Sequence, residues 1–312
     1  MANRPALTVL AGGVGAAKFL RGLLRVADPS TLTIIVNTGD DERFFDLAVS
    51  PDLDTITYTA AGVANPRTGW GRRDDSFHCL DALGRFYDET WFRLGDRDLA
   101  THIYRTQRLA AGARLSSVTA EVCRAFGIAA RILPMSDDPV RTVLDTAAGT
   151  LTFQDYLVRR RARPAVRRIR YLGAERARPA PGVVAAIRDA AAVVIAPSNP
   201  LLSIGPLLAV PGIRRTLERR HGPTVAVSPL VGGRAPTGPL ARQLRRLGLP
   251  ASSLGIAACY RPFLDALVID HRDRAEAAVL AASGCRVIVA DTLFSTEGRA
   301  AAAARRLLRA LA

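Results

Sequence analysis

Leu7-Thr8-Val9-Leu10-Ala11-Gly12-Gly13-Val14-Gly15 is the stretch that decides the fold class of this chain. Its apolar part, Leu7–Ala11, predicts a buried strand, and the glycines predict a tight turn into a helix that runs from Ala16 to about Val26. Leu32–Val36 is a second apolar run of strand length. Strand, loop, helix and strand in this order open a doubly wound, mostly parallel sheet, so we expect an α/β protein.

The charge of the chain indicates an anionic partner. Its 312 residues include 43 Lys and Arg against 28 Asp and Glu, a formal net charge of +15, and Lys18 is the single lysine. Residues 159–178 are dense in arginine, which indicates either a solvated face or a contact for phosphate or nucleic acid. Because basic side chains form no terminal tail or obvious recognition helix, we favour small phosphorylated ligands and expect no nucleic-acid partner.

We expect a single domain spanning residues 1–312, since this length and a hydrophobic content of 49% allow one large core. The core would comprise residues about 1–150 and 190–312, where strand and helix patterns alternate. The arginine-dense region interrupts this alternation. It is the best candidate for an inserted subdomain or an edge, at residues about 151–190.

Several features predict a soluble, cytoplasmic protein without a membrane partner. Residues 1–5 lead into the first strand without the apolar segment of a signal peptide. The longest apolar runs are broken well short of a membrane span. The four cysteines are widely spaced and form no CxxC pair, so we expect reduced thiols and no zinc site.

The glycine loop is the first candidate site. Glycines let backbone N–H groups approach a phosphate, and the helix that follows adds positive potential at its N-terminus. Gly12, Gly13 and Gly15 form the loop, and Lys18 lies in the first turn after it. The spacing is an imperfect dinucleotide fingerprint and is not a Walker A loop. A tight turn that binds nothing is the alternative interpretation.

Two acidic clusters are the second candidate site. Asp40 and Asp41 follow the second predicted strand, and Asp52 and Asp54 come about a dozen residues later. One or two carboxylates together with substrate phosphates usually hold Mg²⁺, which neutralises charge in phosphoryl transfer. The alternative is that Asp40 and Asp52 only cap loop or helix N–H groups.

A polar loop and one histidine complete the candidates. Ser198 and Asn199 follow another predicted strand and can bind a phosphate or a base edge, although turn formation alone explains the same composition. His102 has no partner at catalytic spacing, so we interpret it as a helix-packing residue.

Taken together, several segments resemble the 2-phospho-L-lactate transferase family of coenzyme F-420 biosynthesis. They span nearly the whole chain in the order of that family. They are Ala11-Gly12-Gly13-Val14-Gly15, Val36-Asn37-Thr38-Gly39-Asp40-Asp41, Ser50-Pro51-Asp52-Leu53-Asp54-Thr55, Leu94-Gly95-Asp96-Arg97-Asp98 with Thr101-His102-Ile103, Leu133-Pro134-Met135-Ser136-Asp137-Asp138, Pro197-Ser198-Asn199-Pro200 with Ser203-Ile204-Gly205-Pro206, and Ala290-Asp291-Thr292.

The resemblance implies a Rossmann-like core with a smaller inserted α/β subdomain, a homodimer and a Mg²⁺-dependent transfer. In that reaction the ribityl 5′-hydroxyl of 7,8-didemethyl-8-hydroxy-5-deazariboflavin attacks the phosphate of a GDP-activated phospho-hydroxyacid. GMP leaves, and the product is a deazaflavin phosphodiester. This chemistry agrees with a site that combines a metal, phosphate-facing N–H groups and cationic side chains.

The resemblance also implies roles for individual residues. Asp54 matches an aspartate associated with both deazaflavin and metal, and Arg93 matches a basic position of the deazaflavin site. Asp40 matches a metal-site aspartate, and Asp41 can share that role. Asp54 and Asp40 are therefore the expected catalytic residues. The positions that match nucleotide-side loops are Gly12, Gly13, Gly15, Ser198 and Asn199.

One stretch departs from the family pattern. Between the acidic clusters the chain carries residues 42–49, Glu-Arg-Phe-Phe-Asp-Leu-Ala-Val, where many members have a segment containing His-Gly. The acyl group of the donor is therefore open among 2-phospholactate, phosphoenolpyruvate and 3-phosphoglycerate types. An alternative function is a nucleotide-sugar-binding regulatory protein of the same fold without transferase activity. Residues 50–55 and 95–98 favour the transferase.

Overall fold

A computed structural model describes residues 6–311 and contains a central parallel sheet. The strands, in chain order, are β1 (Leu7–Ala11), β2 (Leu32–Val36), β3 (Glu42–Phe44), β4 (Leu47–Val49), β5 (Arg131–Pro134), β6 (Arg141–Thr146), β7 (Gly149–Thr152), β8 (Val166–Leu172), β9 (Ala192–Ile195), β10 (Thr224–Val227), β11 (Ala266–Asp270) and β12 (Arg286–Ala290). Seven of them form the main sheet in the order β12-β11-β10-β9-β1-β2-β5. Each neighbouring pair in this sheet is parallel, which confirms the predicted α/β fold class.

Helices cover both faces of this sheet. They are α1 (Gly13–Val26), α2 (Pro51–Ala60), α3 (His78–Leu83), α4 (Asp96–Ala110), α5 (Leu115–Ala125), α6 (Val183–Asp189), α7 (Gly205–Ala209), α8 (Ile213–Arg219), α9 (Leu240–Arg246), α10 (Ser253–Tyr260), α11 (Ala277–Ala282) and α12 (Glu297–Leu311). Two apolar clusters lie on opposite faces, since Val9 and Ile34 belong to one and Leu10 and Ile35 to the other. Within residues 6–311 no helix is long and apolar enough to cross a membrane.

The strand order creates a crevice beside β1. From β1 the chain first adds β2 and β5 on one side, and then returns to add β9 and the later strands on the other side. The loops after β1 and β9 therefore leave the same edge of the sheet in opposite directions. Ligands of open α/β sheets bind at such a switch point, outside the carboxyl ends of the strands.

Two smaller antiparallel units stand beside the main sheet. β6 pairs with β7 and β8 in a three-stranded sheet that begins at Arg141, earlier than the expected insertion at about 151. This places most of the arginine-dense region on β8 and on the segment before it, a surface with many exposed side chains. The division into a core and a subdomain stays a prediction. β3 and β4 form a hairpin whose turn residues, Phe45 and Asp46, both have positive φ.

Several local predictions differ from the structure. Helix α1 begins at Gly13, inside the glycine motif and three residues before the expected start at Ala16. Gly13 has a φ of 74°, which an ordinary side chain rarely adopts. The mostly apolar stretch at residues 91–94 predicts a short strand, but these residues form a loop. The pattern of the helix that begins at Asp96 predicts Ile103 on its apolar face, but Ile103 is 55% exposed. Short segments carry too few residues for their periodicity to separate a strand from a buried loop.

Helices α3 and α4 exchange their capping carboxylates. Asp75 accepts hydrogen bonds from the N–H groups of Arg97 and Asp98 at 2.8 and 3.1 Å, at the start of α4. Asp96 in turn accepts from the N–H groups of His78 and Cys79, both at 3.0 Å, at the start of α3. In the sequence, Asp75 precedes one predicted helix and Asp96 opens the next, a pattern that predicts that each aspartate caps its own helix. The exchange locks the two helix starts together and fixes the segment between them.

We expect Asp75→Ala to lower the free energy of unfolding by about 1 kcal/mol, the usual value of a helix cap. The loss arises because two N–H groups of α4 would keep no protein partner. Urea denaturation followed by circular dichroism measures it. Asp88→Ala, at an exposed position in the loop after α3, is the control. An equal loss in both variants would contradict the cap.

Candidate active site

A cavity of about 680 Å³ lies at the switch point. Its walls come from the glycine loop, the start of α2, residues 67–71 and 91–94, the loop after β9, and residues 235–240 and 292–294. Nine of the predicted site residues line it together: Gly12, Gly13, Gly15, Lys18, Asp40, Asp54, Arg93, Ser198 and Asn199. Asp41 does not line this cavity and faces a separate space of about 30 Å³ behind it.

The glycine loop is held tightly against its surroundings. A Cβ atom on Gly12 would lie 2.6 Å from Oδ2 of Asp52 and 2.9 Å from Cβ of Ser203. A Cβ atom on Gly15 would overlap the carbonyl oxygen of Pro197, in the loop after β9. Glycine is therefore required at both positions by close packing, because the two loops that form the crevice touch each other.

The start of α1 is already engaged by a carboxylate. The N–H of Gly13 donates to Oδ1 of Asp52 at 2.7 Å, and the N–H of Gly12 donates to Oγ of Ser198 at 3.3 Å. Lys18 is partly buried one turn further along and faces the cavity. A phosphate in this loop would therefore meet a lysine and the helix N-terminus in a site that also contains Asp52.

Asn199 stabilises the turn after β9. Its Oδ1 accepts hydrogen bonds from the N–H groups of Leu201 and Leu202 at 2.9 and 3.1 Å. Its Nδ2 donates to Oε1 of Gln243 at 2.9 Å. These hydrogen bonds support the interpretation that Asn199 stabilises a turn. The role of Asn199 in nucleotide binding stays a prediction. Ser198 is 3% exposed and lies on the cavity wall.

Asp40 and Asp52 form a buried acidic pair. Asn37 joins them, since its Nδ2 lies 3.2 Å from Oδ1 of Asp40 and 2.9 Å from Oδ2 of Asp52. Burial raises the pKa of Asp40 well above its ordinary range, and repulsion from Asp52, Asp41 and Asp54 raises it further. Burial also raises the pKa of Asp52 to about 6, against hydrogen bonds from Asn37 and Gly13 that lower it.

Asp54 has a different environment from Asp40. Arg105 on α4 contacts both carboxylate oxygens of Asp54 with its two terminal nitrogens, and the pair is buried. His102 places Nδ1 at 3.6 Å from Oδ2 of Asp54 and Nε2 at 3.3 Å from Oδ1 of Asp98. The expected packing role of His102 is therefore incomplete, because its ring lies between two carboxylates.

The acidic pair fits a divalent cation in its charge and its donor atoms. Within the described part of the chain, no three His, Cys, Asp or Glu side chains are grouped so that they could hold a metal ion by themselves. Asp40 and Asp52 are buried together and their charges repel, so a divalent cation between them would relieve this repulsion. Mg²⁺ usually takes one or two carboxylates and completes its shell with water and phosphate oxygens. Asp40, with Asp52 or Asp54, supplies that number of ligands.

Asp41 lies on the far side of this cluster. Its Oδ2 accepts from the hydroxyl of Ser50 at 2.8 Å, and its Oδ1 is buried without a hydrogen-bond partner among residues 6–311. Burial raises its pKa well above the ordinary value, which the hydrogen bond from Ser50 and the charge of Arg105 partly offset. Its position behind the cavity favours Asp40 over Asp41 as the carboxylate that meets a substrate.

Aromatic side chains form one wall of the cavity, which we call the aromatic wall. Trp70, Trp91 and Phe92 line the cavity, and Arg93 stacks on Phe77 with its guanidinium carbon 3.9 Å from the ring centroid. The β3–β4 hairpin supports this wall, because Phe44 stacks on Phe92 with ring centroids 3.9 Å apart. The stretch that departs from the family pattern thus holds the aromatic wall in place.

Asp52 should give the metal-free protein a pH-dependent stability. Its folded pKa, about 6, lies above its ordinary value of 3.8, so the folded protein holds this proton more tightly. The stabilisation is present below about pH 4 and is lost as the pH rises through about 6. Relative to Asp52→Asn, the wild type should lose up to about 3 kcal/mol of unfolding free energy between these limits.

Urea denaturation in the presence of EDTA, at pH values from about 4 to 7.5, measures this difference. Asp265→Asn, whose carboxylate accepts from the N–H of Thr224 away from the cavity, is the control for a simple change of charge. A difference between wild type and Asp52→Asn that does not change with pH would contradict the assignment.

The sequence interpretation missed four side chains of this site. Asn37 bridges the acidic pair, Arg105 and His102 contact Asp54, and Gln154 donates to the carbonyl of Asp40 at 3.2 Å. Asn37 lies in the segment Val36-Asn37-Thr38-Gly39-Asp40-Asp41, so its place just before the aspartates could have indicated a contact with them. Gln154 and Arg105 come from distant parts of the chain and carry no local signal.

Comparison with known proteins identifies the family of this chain. Residues 7–305 match the family described as 2-phospho-L-lactate transferase CofD. A phosphoenolpyruvate transferase of Streptomyces griseus is 42% identical over 97% of this chain and 97% of its own. A 2-phospho-L-lactate transferase of Methanosarcina mazei is 38% identical over 93% of this chain and 95% of its own.

The fold is also found in a solved structure. The crystal structure of a UPF0052 family member from Bacillus halodurans has a TM-score of 0.64 and 15% sequence identity, and the match covers 98% of this chain and 99% of that one. This likeness concerns the fold alone. The sequence match over residues 7–305 and the relatives at about 40% identity show that the chain is a transferase and belongs to the 2-phospho-L-lactate transferase CofD family.

Proposed function

We propose that this protein transfers a phospho-hydroxyacid from a GDP-activated donor to the ribityl 5′-hydroxyl of 7,8-didemethyl-8-hydroxy-5-deazariboflavin and releases GMP, in the biosynthesis of coenzyme F-420. The observation that carries the proposal is the single cavity that a glycine loop, buried carboxylates and aromatic side chains line together. Such a site brings a phosphate, a cation and a flat ring system together, as this transfer requires.

The nucleotide side of the proposal rests on the loops after β1 and β9. Lys18 and the N-terminus of α1 offer positive potential to a diphosphate, and Ser198 offers a hydroxyl. Residues 235–240 extend the cavity beyond these loops and give a nucleoside further surface. We assign Gly12, Gly13, Gly15, Lys18, Ser198 and Asn199 to this side.

The acceptor side rests on the aromatic wall. Trp70, Trp91 and Phe92 present ring faces or edges to the cavity, and a planar deazaflavin gains contact area by stacking on them. Arg93 carries a charge at the rim, since it is exposed and its guanidinium rests on Phe77. We assign Arg93 and Asp54 to the deazaflavin site.

The carboxylates between these two sides would organise the transfer. Mg²⁺ bound there would neutralise charge that develops on the transferred phosphate. Asp40 and Asp54 line the cavity and are the ligands we propose, with Asp52 as a further candidate because it forms a pair with Asp40.

For the acyl group of the donor we propose phosphoenolpyruvate. Streptomyces relatives named phosphoenolpyruvate transferase are 42% identical to this chain, against 38% for the Methanosarcina relatives named 2-phospho-L-lactate transferase. The two identities differ by only a few per cent, so the assay includes donors of the lactate and 3-phosphoglycerate types beside the phosphoenolpyruvate donor. We also propose that the protein is a homodimer, as the family resemblance implies. We further propose a cytoplasmic location.

A donor competition assay tests the function. The purified protein is incubated with the deazaflavin, Mg²⁺ and an equal mixture of the three guanylated donors, and mass spectrometry identifies the phosphodiester and GMP. We expect the enolpyruvyl product to dominate, and EDTA to abolish its formation. Formation of no product from any donor would refute the transfer. Tight binding of a UDP-sugar without deazaflavin binding would instead favour the regulatory alternative.

A further inference from the structure

Arg105 is a buried charge with no assigned role in the transfer. It lies on α4 (Asp96–Ala110), outside the cavity lining, and only 4% of it is exposed. Its two terminal nitrogens take both carboxylate oxygens of Asp54, with Nη1 at 3.1 Å from Oδ2. A paired, fork-like contact of this kind fixes the plane of a carboxylate as well as its charge.

The same guanidinium also holds the β3–β4 hairpin. Nη1 of Arg105 lies 3.2 Å from the carbonyl oxygen of Ala48 on β4. The next residue of α4, Thr106, also contacts the hairpin. Its Oγ1 accepts a hydrogen bond from the N–H of Ala48 at 2.7 Å and donates one to the carbonyl of His102 at 2.6 Å. The hairpin carries Phe44, which stacks on the aromatic wall of the cavity. Arg105 therefore contacts elements of both the acidic and the aromatic side.

A further layer fixes the ring of His102 beside Arg105. Nδ1 of His102 lies 3.3 Å from Nη1 of Arg105, and Nε2 lies 3.3 Å from Oδ1 of Asp98. Asp98 in turn accepts a hydrogen bond of 2.5 Å from the hydroxyl of Tyr58, and its own N–H donates to Asp75. These contacts restrict the guanidinium, because the Asp54, His102 and Asp98 side chains around it are all buried.

We infer that Arg105 is a positioning residue, which sets the orientation of the Asp54 carboxylate toward the cavity and ties it to the β3–β4 hairpin. The inference rests on the proposed role of Asp54 as a cation ligand. It concerns a residue that meets no substrate and acts through another side chain. Groups that orient a ligand carboxylate typically change metal affinity or activity by about 10- to 100-fold when they are replaced.

The test uses Arg105→Lys, which keeps the positive charge but loses the fork. Electron paramagnetic resonance titration of the protein with Mn²⁺ measures the affinity of the cation without turnover. We expect Arg105→Lys to weaken Mn²⁺ binding by about 10- to 100-fold. Arg108→Lys is the matched control, because Arg108 lies on the same helix and pairs with Glu121 away from the cavity. Circular dichroism establishes that both variants are folded.

A double-mutant cycle separates positioning from general stability. If Arg105 acts through Asp54, Arg105→Lys should change Mn²⁺ affinity less than about 2-fold once Asp54 is already Asn. Equal losses in both backgrounds would overturn the inference, as would a wild-type affinity in Arg105→Lys or the absence of Mn²⁺ binding in the wild type.

The transfer assay keeps the two proposals apart. A wild type that makes product, together with an Arg105→Lys variant of unchanged affinity and rate, refutes the positioning role and leaves the function standing. A wild type that makes no product but binds Mn²⁺ more tightly than Arg105→Lys refutes the function and supports the positioning role.

Discussion

Asp54→Asn should reduce the rate of transfer at least about 10³-fold, since the substitution removes a negative charge from the place where cation and acceptor are proposed to meet. Asp54 is buried, faces the cavity and has no neighbouring acid that duplicates its position on α2 except Asp52, which is engaged by Gly13 and Asn37. Single-turnover kinetics with saturating donor and deazaflavin measure the chemical step directly.

The same substitution should leave the fold intact but less stable. Asn fills the volume of Asp, so no cavity forms. Arg105, however, keeps its charge in a buried position and loses its ionised partner, which costs about 3 kcal/mol or more. Urea denaturation measures this loss beside the kinetic effect.

Asp145→Asn provides the matched control for Asp54→Asn. Asp145 pairs with Arg170 at 2.8 Å on the small antiparallel sheet, and both side chains are about one-third exposed. Loss of such a partly exposed pair should change stability little and leave the rate unchanged. A fully active Asp54→Asn protein would refute the proposed role of Asp54, whatever the control shows.

Gly15→Ala should disturb both stability and nucleotide binding. The new methyl group would overlap the carbonyl oxygen of Pro197, and a backbone atom cannot move aside as a flexible side chain can. The loops after β1 and β9 must therefore separate. We expect a loss of about 1–3 kcal/mol of unfolding free energy, and GMP affinity at least about 10-fold weaker, because small displacements of positioning groups have large effects.

Calorimetric titration with GMP and urea denaturation test this prediction. Gly298→Ala is the control, because the nearest atom to a Cβ there is Oγ1 of Thr296 at 4.0 Å and the residue lies inside α12. An Ala in that helix should be neutral or stabilising by about 1 kcal/mol. Wild-type GMP affinity in Gly15→Ala would show that the crevice between the two loops does not bind the nucleotide.

The fold was largely predictable because its strands are short, apolar and bounded by loops. Leu7–Ala11 and Leu32–Val36 have the bounds that their apolar runs predicted. Strands that are buried on both faces carry continuous apolar runs, so they can be recognised in the sequence without knowing which strands lie beside them. Residues 91–94 were wrongly predicted as a strand because they are mostly apolar. They line the cavity, and among the described residues they pair with no neighbouring strand.

The candidate site was predictable only in part. Asp40, Asp54 and the glycine loop follow strands or start helices, and the carboxyl ends of neighbouring parallel strands must meet at one edge of the sheet. Asp41 looked equivalent to Asp40, but consecutive residues point in different directions, and Asp41 faces the small space behind the cavity. Local pattern does not assign direction in an irregular loop.

The sequence by itself determined the α/β class, the edge of the sheet that carries the site, and the acidic and glycine segments that form it. Only the tertiary structure decided which groups surround each carboxylate. Arg105 reaches Asp54 across 51 residues of sequence, and Gln154 reaches Asp40 across 114. Strands and helices depend mainly on residues that are close along the chain. The charge and orientation of a buried carboxylate depend on the side chains that tertiary folding places next to it.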